Sequence, residues 1–427
     1  PLNFRLIFPE LIQLIRKEIG TIMKKIYMIM FILAFILLPA CGYAGEQEKT
    51  NIADQNNPAT PAIIFDSSSN PEIRNNSSSS ASALEKAEQL LFAGDYSKAM
   101  DEFQQAFNQT AEPEIKARAL FGLGRTQNAA RNCTSAVDSF TRILGQYSST
   151  SILPEVYFYL GQCYEALQEY PAAINSYEKF AQLKPGIVDE IVRGKQAAVA
   201  EEMKDYKRAI SFYQSALQSG ATSTDKERIN LKIGQAYANL QDYTTAIQIF
   251  QTVYDSSNND YTKASADLLI GQAFLNLGML EEASTYLLDA VIQFPRAYDS
   301  YTALKTLLLR NMPVDDKLRG IVDYYAGDYS DAIQSFEQYL SAHPEGEDGT
   351  AYYYLGLSHY FLNHSAAAIQ AYDQLIQNYP DNRFWAAAWD EKAFVQWKLL
   401  QEYSNAAATL RTFVSRAPTT AEAPAYL

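Results

Sequence analysis

PEVYFYLGQCYEALQEYPAAINSYEKFAQLKPG, residues 154–186, decides the fold. Its apolar and small residues recur at helical spacing in two runs, divided at Tyr170-Pro171 and closed at Pro185-Gly186. Small residues at Gly161 and Ala173 let two helices approach closely, while Tyr157, Leu160, Tyr164, Tyr170, Ile174 and Tyr177 fill the space around that contact. Pro171 stands in the first turn of the second helix, where its missing N–H would have had no intrahelical partner. Pro185 stops that helix. A single pair of this kind cannot bury both of its faces, so stacked neighbours are expected on either side.

The neighbours are legible. Taking Ala173 as anchor, equivalent alanines stand at Ala99, Ala136, Ala209, Ala246, Ala283, Ala332, Ala368 and Ala406, separated by 36 to 38 residues except for one interval of 49. Four residues after each anchor comes a large apolar or aromatic residue: Phe103, Phe140, Tyr177, Tyr213, Phe250, Leu287, Phe336, Tyr372 and Leu410. Twelve residues before it stands a small one in eight units of nine, Phe394 being the departure, and five units carry proline twelve residues after it. This grammar resembles the tetratricopeptide repeat (TPR). The resemblance implies an all-α fold, a TPR-type helical-hairpin solenoid wound as a right-handed superhelix of about nine repeats.

The domain plan follows from the phasing. Repeats one to six span 82–296, an extra helix is expected over 297–312 within the long interval, and repeats seven to nine with the start of a truncated tenth span 313–427. Tyr301, Leu304, Leu307 and Leu308 give that extra segment its helical spacing. Ser82-Ala83-Leu84-Glu85 and Thr224-Asp225-Lys226-Glu227 read as capping boxes at the entrances of first helices.

The amino terminus carries an address. Residues 1–22 precede Met23-Lys24-Lys25 and read as an upstream extension. The apolar run Ile26–Leu38 is too short for an ordinary membrane span and suits the core of a signal peptide over 23–41. Leu38-Pro39-Ala40-Cys41 resembles the lipobox of bacterial lipoproteins, which implies a lipid on Cys41 and an extracytoplasmic, membrane-anchored chain. A plain secretory signal or an uncleaved anchor would place the chain outside the cytoplasm as well. Residues 42–81, rich in Ser, Asn and Pro, are expected to form a disordered linker.

Composition narrows the function classes. The net charge of −14 and the absence of a basic cluster argue against nucleic acid as a partner, because binding its backbone needs Lys and Arg to neutralise phosphate. No Walker loop, dinucleotide fingerprint or GxSxG occurs, so no cofactor is expected. The three histidines, His343, His359 and His364, do not sit at ligand spacing with Cys or carboxylates, and no metal site is expected. Glu201-Glu202 and Glu281-Glu282 read as helix-terminal carboxylates rather than as an acid–base pair. Cys133 and Cys163 lie on adjacent repeats, where an oxidising compartment permits a disulfide; two buried thiols are the other reading.

In the TPR family the first helices line a groove that receives peptides or partner helices. Carried onto this chain, the groove residues are Phe121, Arg125 and Asn128 in the second repeat and Phe158, Gln162 and Glu165 in the third. Lys317, Ile321, Tyr324 and Tyr325 follow in the seventh, and Tyr353, Leu357, Tyr360 and Phe361 in the eighth. The Lys and Asn with which some members clamp a terminal carboxylate are absent at Phe121/Arg125 and Leu231/Gln235, so that ligand is not expected. The function expected is a non-catalytic scaffold of the bacterial cell envelope, with envelope proteins, peptides or peptidoglycan as partners. The lipobox with repeats is also similar to outer-membrane assembly lipoproteins. Residues 318–344, 351–361 and 386–418 resemble the helical N-terminal region of soluble lytic transglycosylases, which implies an alternative. In that case a peptidoglycan-cleaving domain, with its glutamate-serine motif, would lie beyond Leu427.

Overall fold

The structure, a computed structural model, describes residues 78–186, 189–219, 222–344 and 348–418, all within the unit spanning 68–427. Nineteen α-helices and no strand occur among them. In chain order they are α1 (Ser78–Phe92), α2 (Tyr96–Gln109), α3 (Pro113–Ala129), α4 (Cys133–Gln146), α5 (Leu153–Ala166), α6 (Tyr170–Leu183), α7 (Asp189–Glu202) and α8 (Tyr206–Gln218). There follow α9 (Ser223–Asn239), α10 (Tyr243–Ser256), α11 (Asp260–Leu277), α12 (Leu280–Gln293), α13 (Tyr298–Leu309), α14 (Asp316–Tyr325), α15 (Tyr329–Ala342), α16 (Thr350–Phe361), α17 (Ser365–Asn378), α18 (Trp385–Lys398) and α19 (Tyr403–Arg416). They pair into nine antiparallel hairpins, from α1 with α2 to α18 with α19, and α13 stands alone between hairpins six and seven.

Hairpins one to eight close on the two landmarks read from the sequence. The small residue of the first helix lies under the large residue of the second: a β-carbon on Gly161 would fall 2.5 Å from the Tyr177 ring, and one on Gly234 would fall 2.3 Å from Phe250. The rings of Phe103, Phe140, Tyr177, Phe250, Phe336 and Tyr372 are thereby sealed from solvent. Between hairpins, each second helix packs on the next first helix, so the same core continues from unit to unit.

The turn inside every hairpin holds a left-handed residue five positions before the anchor. It is glycine at Gly94, Gly278 and Gly327, but Arg131, Gln168, Lys204, Gln241, Asn363 and Gln401 adopt it elsewhere. In hairpins one to eight the next residue returns its N–H to the first helix, as in Asp95 to the Leu90 carbonyl at 3.0 Å and Asp242 to Tyr237 at 3.0 Å, which satisfies carbonyls the helix end leaves open. That same residue then caps the second helix: the side chains of Asp95, Asn132, Asp205 and Asp242 each accept the N–H three residues on. The ninth turn is looser, with Glu402 N–H donating to the Gln396 carbonyl at 2.8 Å.

The extra residues of the long interval form α13, which packs against α11, α12 and α14 through Leu304 and Leu307. Ser300, fully buried, donates to the carbonyls of Ala290 and Phe294 at 2.8 and 2.7 Å, anchoring the start of α13 to the end of α12.

Three sequence expectations are corrected. Ser82–Glu85 is not a capping box, because α1 already begins at Ser78 and the four residues lie inside it. The same start means that the last part of the expected linker is helical. In the fifth hairpin the cap is Thr222, whose hydroxyl oxygen accepts the Asp225 N–H at 3.2 Å; Thr224 is inside α9. The expected extension, signal peptide, Cys41 and most of the linker, together with 419–427, lie outside the described residues. Among the described residues no helix is long and apolar enough to cross a membrane.

Candidate functional site

Successive first helices also touch one another, α1 with α3, α3 with α5, α9 with α11, α14 with α16 and α16 with α18, whereas consecutive second helices do not pack to that extent. The first helices therefore share one face, and the predicted groove residues divide between it and the interior. In hairpins two to four, Asn128, Gln162 and Glu165 line a cleft of about 500 Å³ together with Gln168, Tyr170, Lys195 and Glu202. Glu165 accepts the Tyr177 hydroxyl at 2.8 Å and pairs with Lys195 at 3.5 Å, so its two oxygens are held by groups from two hairpins. Burial, then the Glu165 charge, raises the Tyr177 phenol well above its ordinary value and keeps it a donor.

Arg125 is committed to Glu88 of the preceding hairpin, at 3.0 Å, and lies over the Phe121 ring at 5.6 Å. Phe121 itself meets Tyr159 edge-on at 5.5 Å. Phe158 is not a groove residue: it is 3% exposed and packs on Tyr177 and Phe180 at 6.0 and 5.4 Å.

In hairpins seven to nine the first-helix face is aromatic. Lys317 lines a cleft of about 700 Å³ with Asp348, Asn382 and Arg383, pairs with Asp348 at 3.8 Å and covers the Tyr339 ring at 4.9 Å. Ile321 packs on the Phe336 core. Leu357, also expected in the groove, is interior. Tyr325 shares a 2.9 Å hydrogen bond with the Tyr354 hydroxyl and lies under Arg296 at 5.2 Å. Tyr353 stacks on Phe384 at 4.3 Å, and the exposed Phe361 stacks on Tyr329 at 4.6 Å. Tyr324, Phe361, Tyr360, Phe394 and Trp397 form an unbroken run of rings, with successive centroids 6.2, 5.2, 5.6 and 5.6 Å apart, across α14, α16 and α18. Phe394, Trp397 and the nearby Glu391 were not among the sequence-derived groove residues. The signal was there: Glu391 occupies in the ninth repeat the position of Lys317 and Tyr353, fifteen residues before the anchor.

Among the described residues, the carboxylates close enough together to hold a metal ion are Asp323, Asp328 and Asp331. A cation already stands there. The Lys305 ammonium, from α13, lies 3.3, 3.4 and 2.9 Å from the three, and the Arg319 guanidinium lies 3.6 Å from Asp323. Burial outweighs these charges at Asp323 and lifts its carboxyl to about 6. The cluster is a fastening of α13 to hairpin seven. Cys133 and Cys163 are free, buried thiols in one core cluster, not a disulfide in this structure; the Cys133 thiol donates to Asn128 Oδ1 at 3.5 Å. Burial, and then Cys133, pushes the Cys163 thiol up, so neither geometry nor charge activates it as a nucleophile. His359 and His364 face each other with Nδ1 atoms 3.4 Å apart at the mouth of the eighth turn, and burial followed by the His364 charge lowers His359.

Comparison with curated proteins finds no match. Among solved structures, a tetratricopeptide repeat protein from Parabacteroides merdae ATCC 43184 is 15% identical over 66% of this chain and 99% of that one, with a TM-score of 0.41. A crystal structure of MamA protein is 19% identical over 42% of this chain and 91% of that one, with a TM-score of 0.36. MamA from Desulfovibrio magneticus RS-1 is 15% identical over 41% and 93%, with a TM-score of 0.34. Two tetratricopeptide repeat family models match, one over residues 231–302 and 318–383 and the other over 154–187. The chain carries tetratricopeptide repeats, and its fold is an all-α solenoid of helical hairpins.

Proposed function

We propose that the chain is a non-catalytic scaffold that binds a protein or peptide along its first helices, and that it works in the bacterial cell envelope, tethered through a lipid on Cys41. The observation that carries the scaffold reading is the shared face of the first helices. It presents polar side chains in hairpins two to four and half-exposed rings in hairpins seven to nine, next to one another across successive repeats. In hairpins two to four this favours envelope proteins and peptides over peptidoglycan, since the cleft at Asn128, Gln162 and Glu165 offers amides and fixed charges rather than exposed rings. The charged Met23-Lys24-Lys25, the apolar run and the placed Cys41 support the envelope location. The transglycosylase reading is weaker, because residues 318–344 and 351–361 fall inside the 318–383 repeat match and repeat grammar accounts for them.

The test has two arms. Cys41→Ala is expected to move the chain out of the membrane fraction, and unchanged fractionation would contradict the anchor. In affinity capture from envelope extract, Gln162→Arg with Asn128→Arg is expected to lose a partner that the outer-face variant Thr412→Arg retains. Equal capture by both would contradict the groove.

A further inference from the structure

Tyr177, Tyr213 and Tyr372 hold one register, four residues after the anchor. The first two donate to Glu165 and Glu201, eight residues before it, at 2.8 and 3.1 Å. In hairpin eight that earlier position is Tyr360, and the Tyr372 hydroxyl, sealed from solvent, has no hydrogen-bond partner. Such an orphan is costly and is retained at few places in a fold. Next to it stands a second unanswered group. Glu391, on α18, is half-buried and makes no hydrogen bond or ion pair among the described residues; burial, then the charge of its neighbour Asp390, raises its carboxyl. Its register, fifteen residues before the anchor like Tyr353, places it on the same first-helix face as Tyr353, and burial followed by the Glu391 charge raises the phenols of Tyr372 and Tyr353. Glu165, of comparable burial on the same face, has Tyr177 and Lys195 as answering groups.

Resting on the scaffold reading above, we propose that this face of hairpins seven to nine receives a lysine or arginine side chain of a partner protein, held between the Glu391 carboxylate and the rings of Tyr324, Tyr353 and Tyr360. An unpaired, partly desolvated carboxylate attracts a cation more strongly than an exposed one, and ring faces add attraction of the same sign. The partner is a polypeptide rather than a small free cation because the ring surface continues past Glu391. Phe361, 46% exposed, and Phe394 and Trp397, 37% and 49% exposed, extend it well beyond the reach of one side chain and fit the residues flanking the basic one. The net charge of −14 favours a basic partner in the same sense.

The test uses fluorescein-labelled pentapeptide pools with Arg, Lys or norleucine at the centre and mixed neutral residues around it. Anisotropy is expected to show the Arg and Lys pools bound roughly tenfold more tightly than the norleucine pool, and Glu391→Gln is expected to abolish the difference. The unliganded Glu391→Gln variant is expected to melt at or above the wild-type temperature, because Glu391 has no internal partner to lose. Equal binding of the three pools, no binding of any, a preference that survives Glu391→Gln, or a lowered Tm in that variant would each overturn the proposal. Capture of an envelope partner that depends on Asn128 and Gln162 would still stand in those cases, so the scaffold reading fails separately.

Discussion

The tyrosine that closes three of the nine hairpins shows how one hydroxyl changes value with its surroundings. Tyr177 and Tyr213 donate to carboxylates in a buried setting, where a hydrogen bond to a charged group contributes about 1.5–3 kcal/mol. Tyr177→Phe and Tyr213→Phe are therefore expected to lower stability by about 2 kcal/mol each in chemical denaturation. Tyr372→Phe removes a hydroxyl that satisfies nothing and is expected to be neutral or stabilising; a loss like that of Tyr177→Phe would mean that Tyr372 has a partner in solution. The carboxyl of Asp267 gives the matching pH dependence. Burial, then the charge of Asp289 and a hydrogen bond to it, raises Asp267 to about 8. Its folded-state pKa is above the unfolded value of about 4, so its contribution is fully present below about pH 4 and is lost as pH rises through about 8. Melting curves from pH 5 to pH 9 should fall more steeply for the wild type than for Asp267→Asn, and parallel curves would remove Asp267 from the explanation.

At the scale of the element, the hairpins were legible because their landmarks are steric. A residue under the Tyr177 ring must be small, and a residue that seals the core must be large, so Gly161 and Tyr177 announce each other in sequence. The left-handed turn residue is not legible in the same way. Arg131, Gln168, Lys204, Gln241 and Gln401 carry side chains that do not favour it, and it is the return hydrogen bonds of the turn that hold them there. Gln241→Gly is accordingly expected to raise stability by about 1 kcal/mol, since glycine adopts that conformation without the steric cost. The groove was legible as a register but not as a surface: Phe158 and Leu357 stand at groove positions, yet the rings and helices beside them cover them. Helix α13 was foreseen by its spacing, its fastening was not. Lys305→Met would leave the buried Asp323 with Arg319 alone and is expected to cost about 2 kcal/mol, below the range for a fully buried pair because Lys305 is 35% exposed. Asp323→Asn in the same chain should restore most of the loss, and no rescue would place the role of Lys305 elsewhere.

For the whole molecule, stability is distributed over contacts between neighbours in sequence. Each second helix packs on the next first helix, so no single unit carries the core and a partner can engage several repeats without disturbing their packing. Among the described residues the carboxylates of Asp267 and Asp323 are buried, Asp323 is paired with Lys305 and Arg319, and the thiols of Cys133 and Cys163 are buried. What remains available is the shared first-helix face, polar in hairpins two to four and aromatic in hairpins seven to nine.

Site-specific photo-crosslinking in cells tests that claim most directly. A benzophenone side chain would be placed at Gln162 or Phe361 on the first-helix face and, for comparison, at the half-buried Gln251 or the exposed Thr412 on second helices. Adducts at Gln162 and Phe361 that are missing at Gln251 and Thr412 are the predicted result. Adducts of equal yield at all four positions, or only at the second helices, would contradict the assignment of this chain as a groove-binding scaffold.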